Sequence, residues 1–259
     1  MNKEGPKEYK KGYTNFANCK INLFYGPIIP RKETEFWVKK AIKQIQNSRL
    51  RQGYGGQAKL KIKNLRILDI FAGSGCIGIA ILKHIKKAHL TFAEIDKNLI
   101  KQIKINLKLN KIPNSKYKVV QSDVFKNIKA GLVPPKAGYD YIFANPPYIA
   151  LKNKHLVQKS VLDYEPHSAL FGGKDGLFYI RKFLKDARKY LKPNGKIYPV
   201  NQKNMKNVPS SKTGINRVYM EFDCLQKREL EKLLKELNYT NYKIYKDQFK
   251  KWRWIEILN

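Results

Sequence analysis

Acidic side chains are scarce in this chain: 20 Asp and Glu stand against 53 Lys and Arg in 259 residues, a formal charge of +33. That excess should hold the protein near polyanions such as RNA or ribosomes, in a salt-dependent way. The lysines run along the whole chain with no arginine-rich arm and no nucleic-acid-binding motif, so charge gives a direction and no identity. Cysteine is rare too. Cys19, Cys76 and Cys224 lie far apart, and His84, His89, His155 and His167 make no ligand spacing with them, which excludes a disulfide framework and a zinc site. Long apolar runs are missing, so no segment reads as a membrane span. The Lys-rich start lacks an apolar signal region. The expectation is a soluble, cytoplasmic monomer with no metal and no membrane partner. An apolar content of 42% nevertheless allows one large core.

Short β-rich runs alternate with amphipathic stretches from Leu65 to the end. The runs are Arg66 to Phe71, Leu90 to Ile95, Tyr117 to Asp123, Tyr139 to Asn145, Lys196 to Val200 with Val218 to Asp223, Asn241 to Asp247, and Trp252 to Leu258. Helical periodicity fits Ile77 to Ile85, Lys97 to Leu109, Gly176 to Leu191 and Gln226 to Leu237. This order predicts an α/β fold, a doubly wound and mostly parallel sheet covered on both faces. The last two strands are too close in sequence for a crossover and should form an antiparallel hairpin. Three stretches break the rhythm. The first 13 residues are polar and expected to fray. Arg51 to Lys59 is Gly/Gln-rich and reads as an inserted loop. Pro199 to Arg217 has little apolar periodicity and should loop out of what is otherwise one strand.

Leu68-Asp69-Ile70-Phe71-Ala72-Gly73-Ser74-Gly75-Cys76-Ile77-Gly78 follows a strand and opens a helix. The glycines let backbone approach a ligand at that turn. Glu94 ends the next strand, about twenty residues on, where a carboxylate can accept both ribose hydroxyls. Asp123 ends the third strand and is placed to accept from an adenine amino group, with Val124 and Phe125 flanking the ring. Taken singly, each acid fits a helix cap or a turn. As an ordered set, Asp69, Glu94, Asp96 and Asp123 would repel a pyrophosphate and suit a cation; no Gly-Lys-Ser/Thr follows the loop.

Asn145-Pro146-Pro147-Tyr148 closes the fourth strand. A planar amide or aromatic NH2 is a poor nucleophile because its lone pair is delocalised. An enzyme that alkylates it needs acceptors for both N–H bonds. Asn145 offers a side-chain carbonyl. Pro146 and Pro147 have no N–H and present only backbone acceptors in a stiff turn. Tyr148 adds a flat face.

Strand, glycine turn, acid, acid and Asn-Pro-Pro-Tyr together resemble the class I S-adenosylmethionine-dependent methyltransferases with a Rossmann-like sheet. Flanking blocks narrow this. Ile28-Ile29-Pro30-Arg31-Lys32-Glu33-Thr34-Glu35 resembles the Ile-Pro-Arg-x-Glu-Thr-Glu signature of the HemK-type peptide chain release factor N5-glutamine methyltransferases. Tyr164-Glu165-Pro166-His167-Ser168-Ala169-Leu170-Phe171-Gly172-Gly173-Lys174-Asp175-Gly176-Leu177 is similar to that family's Glu-Pro-x-x-Ala-Leu block, and Met220-Glu221-Phe222, Gln226, Asp247 and Arg253 continue the match. The resemblance implies S-adenosyl-L-methionine as cofactor, held by Phe71, Ala72, Gly73, Ser74, Gly75, Glu94, Asp123, Val124 and Asn145. It implies methylation of the glutamine amide in the Gly-Gly-Gln loop of a release factor. Asn145 and the Pro146 carbonyl would accept the amide hydrogens, Pro147 would stiffen the turn, and Tyr148 would pack against the substrate side chain. Residues 1–35 then form a short segment in place of the family's N-terminal helical domain, and residues 36–259 the catalytic domain, with inserts near 51–59 and 199–217. Two other readings stand beside it: an adenine-N6 methyltransferase on DNA or RNA, since such enzymes share Asn-Pro-Pro-Tyr, and a non-catalytic RNA- or ribosome-binding relative.

Overall fold

The structure, a computed structural model, describes residues 5–50, 64–128, 138–192 and 216–258. Both sequence inserts, near 51–59 and 199–217, fall almost wholly outside the described residues; Arg217 itself already belongs to a strand.

The N-terminal residues, expected to fray, are folded from Gly5 onward. A short helix α1 (Lys7–Lys11) ends at Gly12, whose φ of 73° allows the chain to reverse. Tyr9 anchors it by donating its hydroxyl to the Pro27 carbonyl at 2.7 Å and packing on the core. An antiparallel hairpin follows, β1 (Tyr13–Phe16) and β2 (Cys19–Asn22), then the long helix α2 (Lys32–Leu50).

The remaining elements are β3 (Leu65–Ile70), α3 (Cys76–His84), β4 (Ala88–Glu94), α4 (Lys97–Leu109), β5 (Tyr117–Gln121), β6 (Tyr141–Ala144), α5 (Lys159–Tyr164), α6 (His167–Leu170), α7 (Phe178–Tyr190), β7 (Arg217–Glu221), α8 (Lys227–Glu236), β8 (Tyr242–Lys246) and β9 (Trp252–Leu258). Among the described residues, seven strands make one sheet in the order β5-β4-β3-β6-β7-β9-β8. Pairings from β5 through β7 are parallel, and β9 runs antiparallel to both β7 and β8. The expected doubly wound sheet with an antiparallel C-terminal hairpin is therefore present.

Alternation along the strands divides the core in two. Ile67, Phe143, Tyr219 and Trp254 join the cluster under α2 and α3, while Leu68, Ile142, Met220 and Ile255 join the one under α7 and α8. Trp37 of α2 fills the first cluster, stacked on Phe143 and Trp254 with both centroids at 6.1 Å. The β1–β2 hairpin is held differently. Gln102, Asn106 and Asn110, four residues apart on the buried face of α4, bond the backbone of Lys20, Asn22 and Tyr25 through their side-chain amides. An amide both donates and accepts, so this row satisfies a strand edge as a further strand would.

Candidate active site

Strand order reverses on either side of β3, whose neighbours are β4 and β6. In open parallel sheets the crevice at the carboxyl ends of such strands is where ligands bind. The chain leaving β3 there is Phe71 to Gly75. Phe71 (φ 59°), Gly73 (φ 54°) and Gly75 (φ 78°) are all left-handed. Phe71 has a side chain and holds this conformation at a cost of about 1–3 kcal/mol. A Cβ on Gly73 would meet nothing within 4 Å, so the turn presents bare backbone to open space. Behind it, Asn106 donates to the Ser74 carbonyl at 2.9 Å, fixing the loop from α4.

Glu94 stands at the end of β4, almost fully buried. Its Oε2 accepts from Gly73 N at 2.7 Å and its Oε1 from Ile95 N and Asp96 N at 2.9 and 3.0 Å. With three of roughly four acceptor positions used, it has room for about one more donor. Burial pushes its pKa up, countered by those three N–H groups. Asp69, on β3 below the loop, is completely buried; Oδ2 accepts from Gly78 N at 2.9 Å while Oδ1 has no partner among the described residues. Burial raises its pKa well above the ordinary value, and Glu94 raises it further.

The other two acids behave differently. Asp96 caps α4, accepting from Asn98 N at 2.6 Å and Leu99 N at 3.3 Å, the ordinary structural role of an acid there. Asp123 lies just past β5 with Oδ2 on Lys182 Nζ at 2.6 Å. Val124 beside it is a second left-handed non-glycine residue, with φ 52°. Phe125 does not flank a ligand ring as expected. It is buried, and Phe183 and Tyr190 stack on it at 5.6 and 4.2 Å, so its ring belongs to the α7 core cluster.

Asn145 leaves β6 directly across the crevice from the glycine turn. It is half-buried, and its side chain makes no hydrogen bond among the described residues, which leaves its carbonyl free to accept. The backbone after it is gripped by the Glu165–Leu177 block. Ile149 N donates to Leu170 O at 3.0 Å, Gly172 N to Ile149 O at 2.9 Å, and Leu151 N to Gly173 O at 3.0 Å. A Cβ on Gly172 would lie 2.5 Å from the Pro147 carbonyl, and one on Gly176 only 2.3 Å from that of Tyr148. Those two glycines let one backbone pack on another. Beside this corner is a depression of about 490 Å³, lined mainly by apolar groups of Leu151, Phe171, Phe178 and Tyr179, with Lys154 and His167 at its rim.

Three distant blocks converge behind Tyr148. Arg31 binds Glu165 through both carboxylate oxygens at 2.7 Å. Tyr148 donates its hydroxyl to Glu221 at 2.9 Å, and Gln226 Nε2 donates to the Tyr148 carbonyl at 2.8 Å. Arg253 lies nearby, held by Asp247 at 3.0 Å. Sequence reading placed these residues in the site only through the family pattern. It named Thr34 only within that pattern and missed Trp37 and Lys182 altogether, because a bond between residues 187 positions apart, as for Thr34 and Glu221, leaves no local signal.

The donor set fits S-adenosyl-L-methionine: open glycine backbone, a buried carboxylate with spare acceptor capacity and an unpartnered acidic oxygen beneath the loop. Among the described residues no cluster of His, Cys, Asp and Glu could hold a metal. Nor is any described helix long and apolar enough to cross a membrane.

The methyltransferase small domain family matches residues 58–164. A release factor glutamine methyltransferase of Thermodesulfovibrio yellowstonii is 33% identical over 196 residues, covering 76% of this chain and 63% of that protein. Another from Fusobacterium nucleatum is 31% identical over 193 residues, covering 74% of this chain and 49% of that one. The chain thus spans about half to just under two thirds of the length of these relatives. SMU.776, solved as a complex with SAH, superposes with a TM-score of 0.56 at 11% identity, covering 100% of this chain and 58% of that one. By fold the chain is a class I methyltransferase. Its sequence carries the likeness further than the fold does, toward release factor glutamine methyltransferases over about three quarters of its length.

Proposed function

We propose that this protein methylates the side-chain amide nitrogen of a glutamine, using S-adenosyl-L-methionine, and that its substrate is the Gly-Gly-Gln loop of a peptide chain release factor. The observation that carries the reading is the free Asn145 carbonyl, set on a proline-stiffened corner across the switch point from the glycine turn. The names of the relatives support the substrate class.

The Phe71–Gly75 backbone would cradle the cofactor, Glu94 would accept from a ribose hydroxyl, and Asp123 would use its outer oxygen for the adenine amino group beside Val124. Asp69, buried beneath the loop, accepts from Gly78 N and so fixes the start of α3 behind the glycine turn. When held by the Phe71–Gly75 backbone and Glu94, the cofactor would supply an electrophilic methyl group for the amide nitrogen, which would give up one proton in exchange. Asn145 accepts one amide hydrogen through Oδ1 and the Pro146 carbonyl accepts the other, turning the nitrogen lone pair toward that methyl. Pro147 limits the turn's freedom and Tyr148 packs against the glutamine side chain. Orientation supplies most of the acceleration, and no general base is needed, because an alkylated amide nitrogen sheds its proton readily.

The test is to incubate labelled cofactor with a purified release factor and, separately, with DNA and RNA. Label in the release factor is expected. Label entering nucleic acid alone would replace this reading with the adenine-N6 one, and failure to bind the cofactor would favour a non-catalytic relative.

A further inference from the structure

Glu221, at the end of β7, is 1% exposed and takes three hydrogen bonds from two directions. Oε2 accepts from Thr34 Oγ1 at 2.7 Å and Trp37 Nε1 at 2.6 Å, both on α2; Oε1 accepts from the Tyr148 hydroxyl at 2.9 Å. A buried carboxylate is expensive, and an apolar side chain of similar volume commonly serves the fold as well or better. Glu221 therefore needs a reason beyond packing. Its two oxygens divide the work: one is held by a helix locked into the core through the Trp37 stack, and the other receives Tyr148. At its opposite end Tyr148 is fixed too. Gln226 Nε2 bridges the carbonyls of Tyr148 and Asp175 at 2.8 and 2.9 Å, and Gly176 leaves no room for either to shift. The ring is thus pinned at hydroxyl and backbone, while part of the residue stays open beside Asn145.

We infer that Glu221 is a positioning residue for methyl transfer: it fixes the Tyr148 ring, through the hydroxyl, as the wall against which the target carboxamide packs. This rests on the proposed role of the Asn145–Tyr148 corner. It also assigns the Thr34 and Trp37 end of α2 a part in the site, as the anchor that holds Glu221. A ring free to swing would let the amide leave its line of attack, and a misplacement of about 1 Å at a reacting centre costs on the order of 10²-fold in rate.

The test is a double-mutant cycle in the full chain with Tyr148→Phe and Glu221→Gln, reading kcat and KM on a release factor, SAH affinity by calorimetry, and Tm. Each single substitution is expected to lower kcat about tenfold or more with SAH affinity within about twofold. Once the Tyr148 hydroxyl is gone, Glu221→Gln should cost little more, because the pair acts as one unit. Equal losses from Glu221→Gln with and without that hydroxyl would overturn the inference, as would a wild-type kcat in Tyr148→Phe, which retains the ring and the α2 bonds should Glu221→Gln fail to fold. A second readout needs no turnover. The Tyr148 hydroxyl proton, held on a buried carboxylate, should give a separate, slowly exchanging NMR resonance in the wild type that Tyr148→Phe removes and Glu221→Gln shifts. Absence of that resonance in the wild type would contradict the pinning. Its presence with no transfer to release factor would instead sink the proposed substrate and leave the pinning intact.

Discussion

Replacing Gly172 with alanine probes whether the family's glycine-rich block is needed to shape the methyl-acceptor corner. The added Cβ would sit 2.4 Å from the Gly176 carbonyl oxygen and 2.5 Å from that of Pro147. Ordinary contact begins near 3.4 Å, and both neighbours are backbone, so neither can swing aside. The corner must move by about 1 Å, which at a reacting centre corresponds to a rate loss of roughly 10²-fold, or about 2.7 kcal/mol of barrier. Overpacking should also cost about 1–3 kcal/mol of stability. The cofactor loop leaves a different strand, so SAH affinity should hold within a few-fold. Gly26→Ala is the control: its φ of +63° is strained for alanine, yet the Cβ meets nothing within 4 Å. It should lose about 1–2 kcal/mol of stability with turnover unchanged. Single-turnover transfer, calorimetric SAH binding and urea unfolding of the three proteins decide the matter. Wild-type transfer by Gly172→Ala would refute the reasoning.

Asn145→Ala should lower transfer by about 10²–10³-fold, the usual effect of losing one preorganised hydrogen-bonding group at a reacting centre, with cofactor affinity within a few-fold; kinetics of label transfer check this. Glu94 has its pKa raised above the ordinary 4.5, so it takes up a proton at a higher pH than an exposed glutamate, and a proton there competes with the cofactor. Affinity for S-adenosyl-L-methionine should fall as pH drops through that raised value and be flat over the same range in Glu94→Gln, measured by calorimetry. The same shift means that ionising Glu94 costs the unliganded fold stability as pH rises through its folded pKa, and that this penalty is absent below the unfolded value. Trp37→Ala removes a fully buried ring stacked on two others and should cost about 3–5 kcal/mol in urea unfolding; a loss under 1 kcal/mol would mean that α2 is not anchored by this residue.

Legibility of the fold followed how local each signal was. Strands β3, β4, β6 and β9 could be read because their alternation and their flanking turns lie within a few residues, and the glycine turn and Asn145 stood at strand ends where the chain itself marks them. The β1–β2 hairpin was not legible. It is attached through the amides of Gln102, Asn106 and Asn110, whose four-residue spacing on the apolar face of α4 was the available signal. Phe125 misled for a related reason: adjacency to Asp123 suggested a ligand contact, whereas the ring is buried against Phe183 and Tyr190 from α7. Asp96 looked like one more site acid and is a helix cap. Glu221 was visible only as part of a family pattern, since its donors come from residues 34, 37 and 148 and are brought together by tertiary structure alone.

Peptide mass spectrometry of a release factor after incubation with the protein and S-adenosyl-L-methionine tests the central claim most directly. One added methyl group on the glutamine of the Gly-Gly-Gln loop, absent when that glutamine is changed to alanine or when Asn145→Ala replaces the wild-type protein, is the expected result. Methylation that persists in either control, or an unmodified loop beside a protein that binds the cofactor, would contradict it.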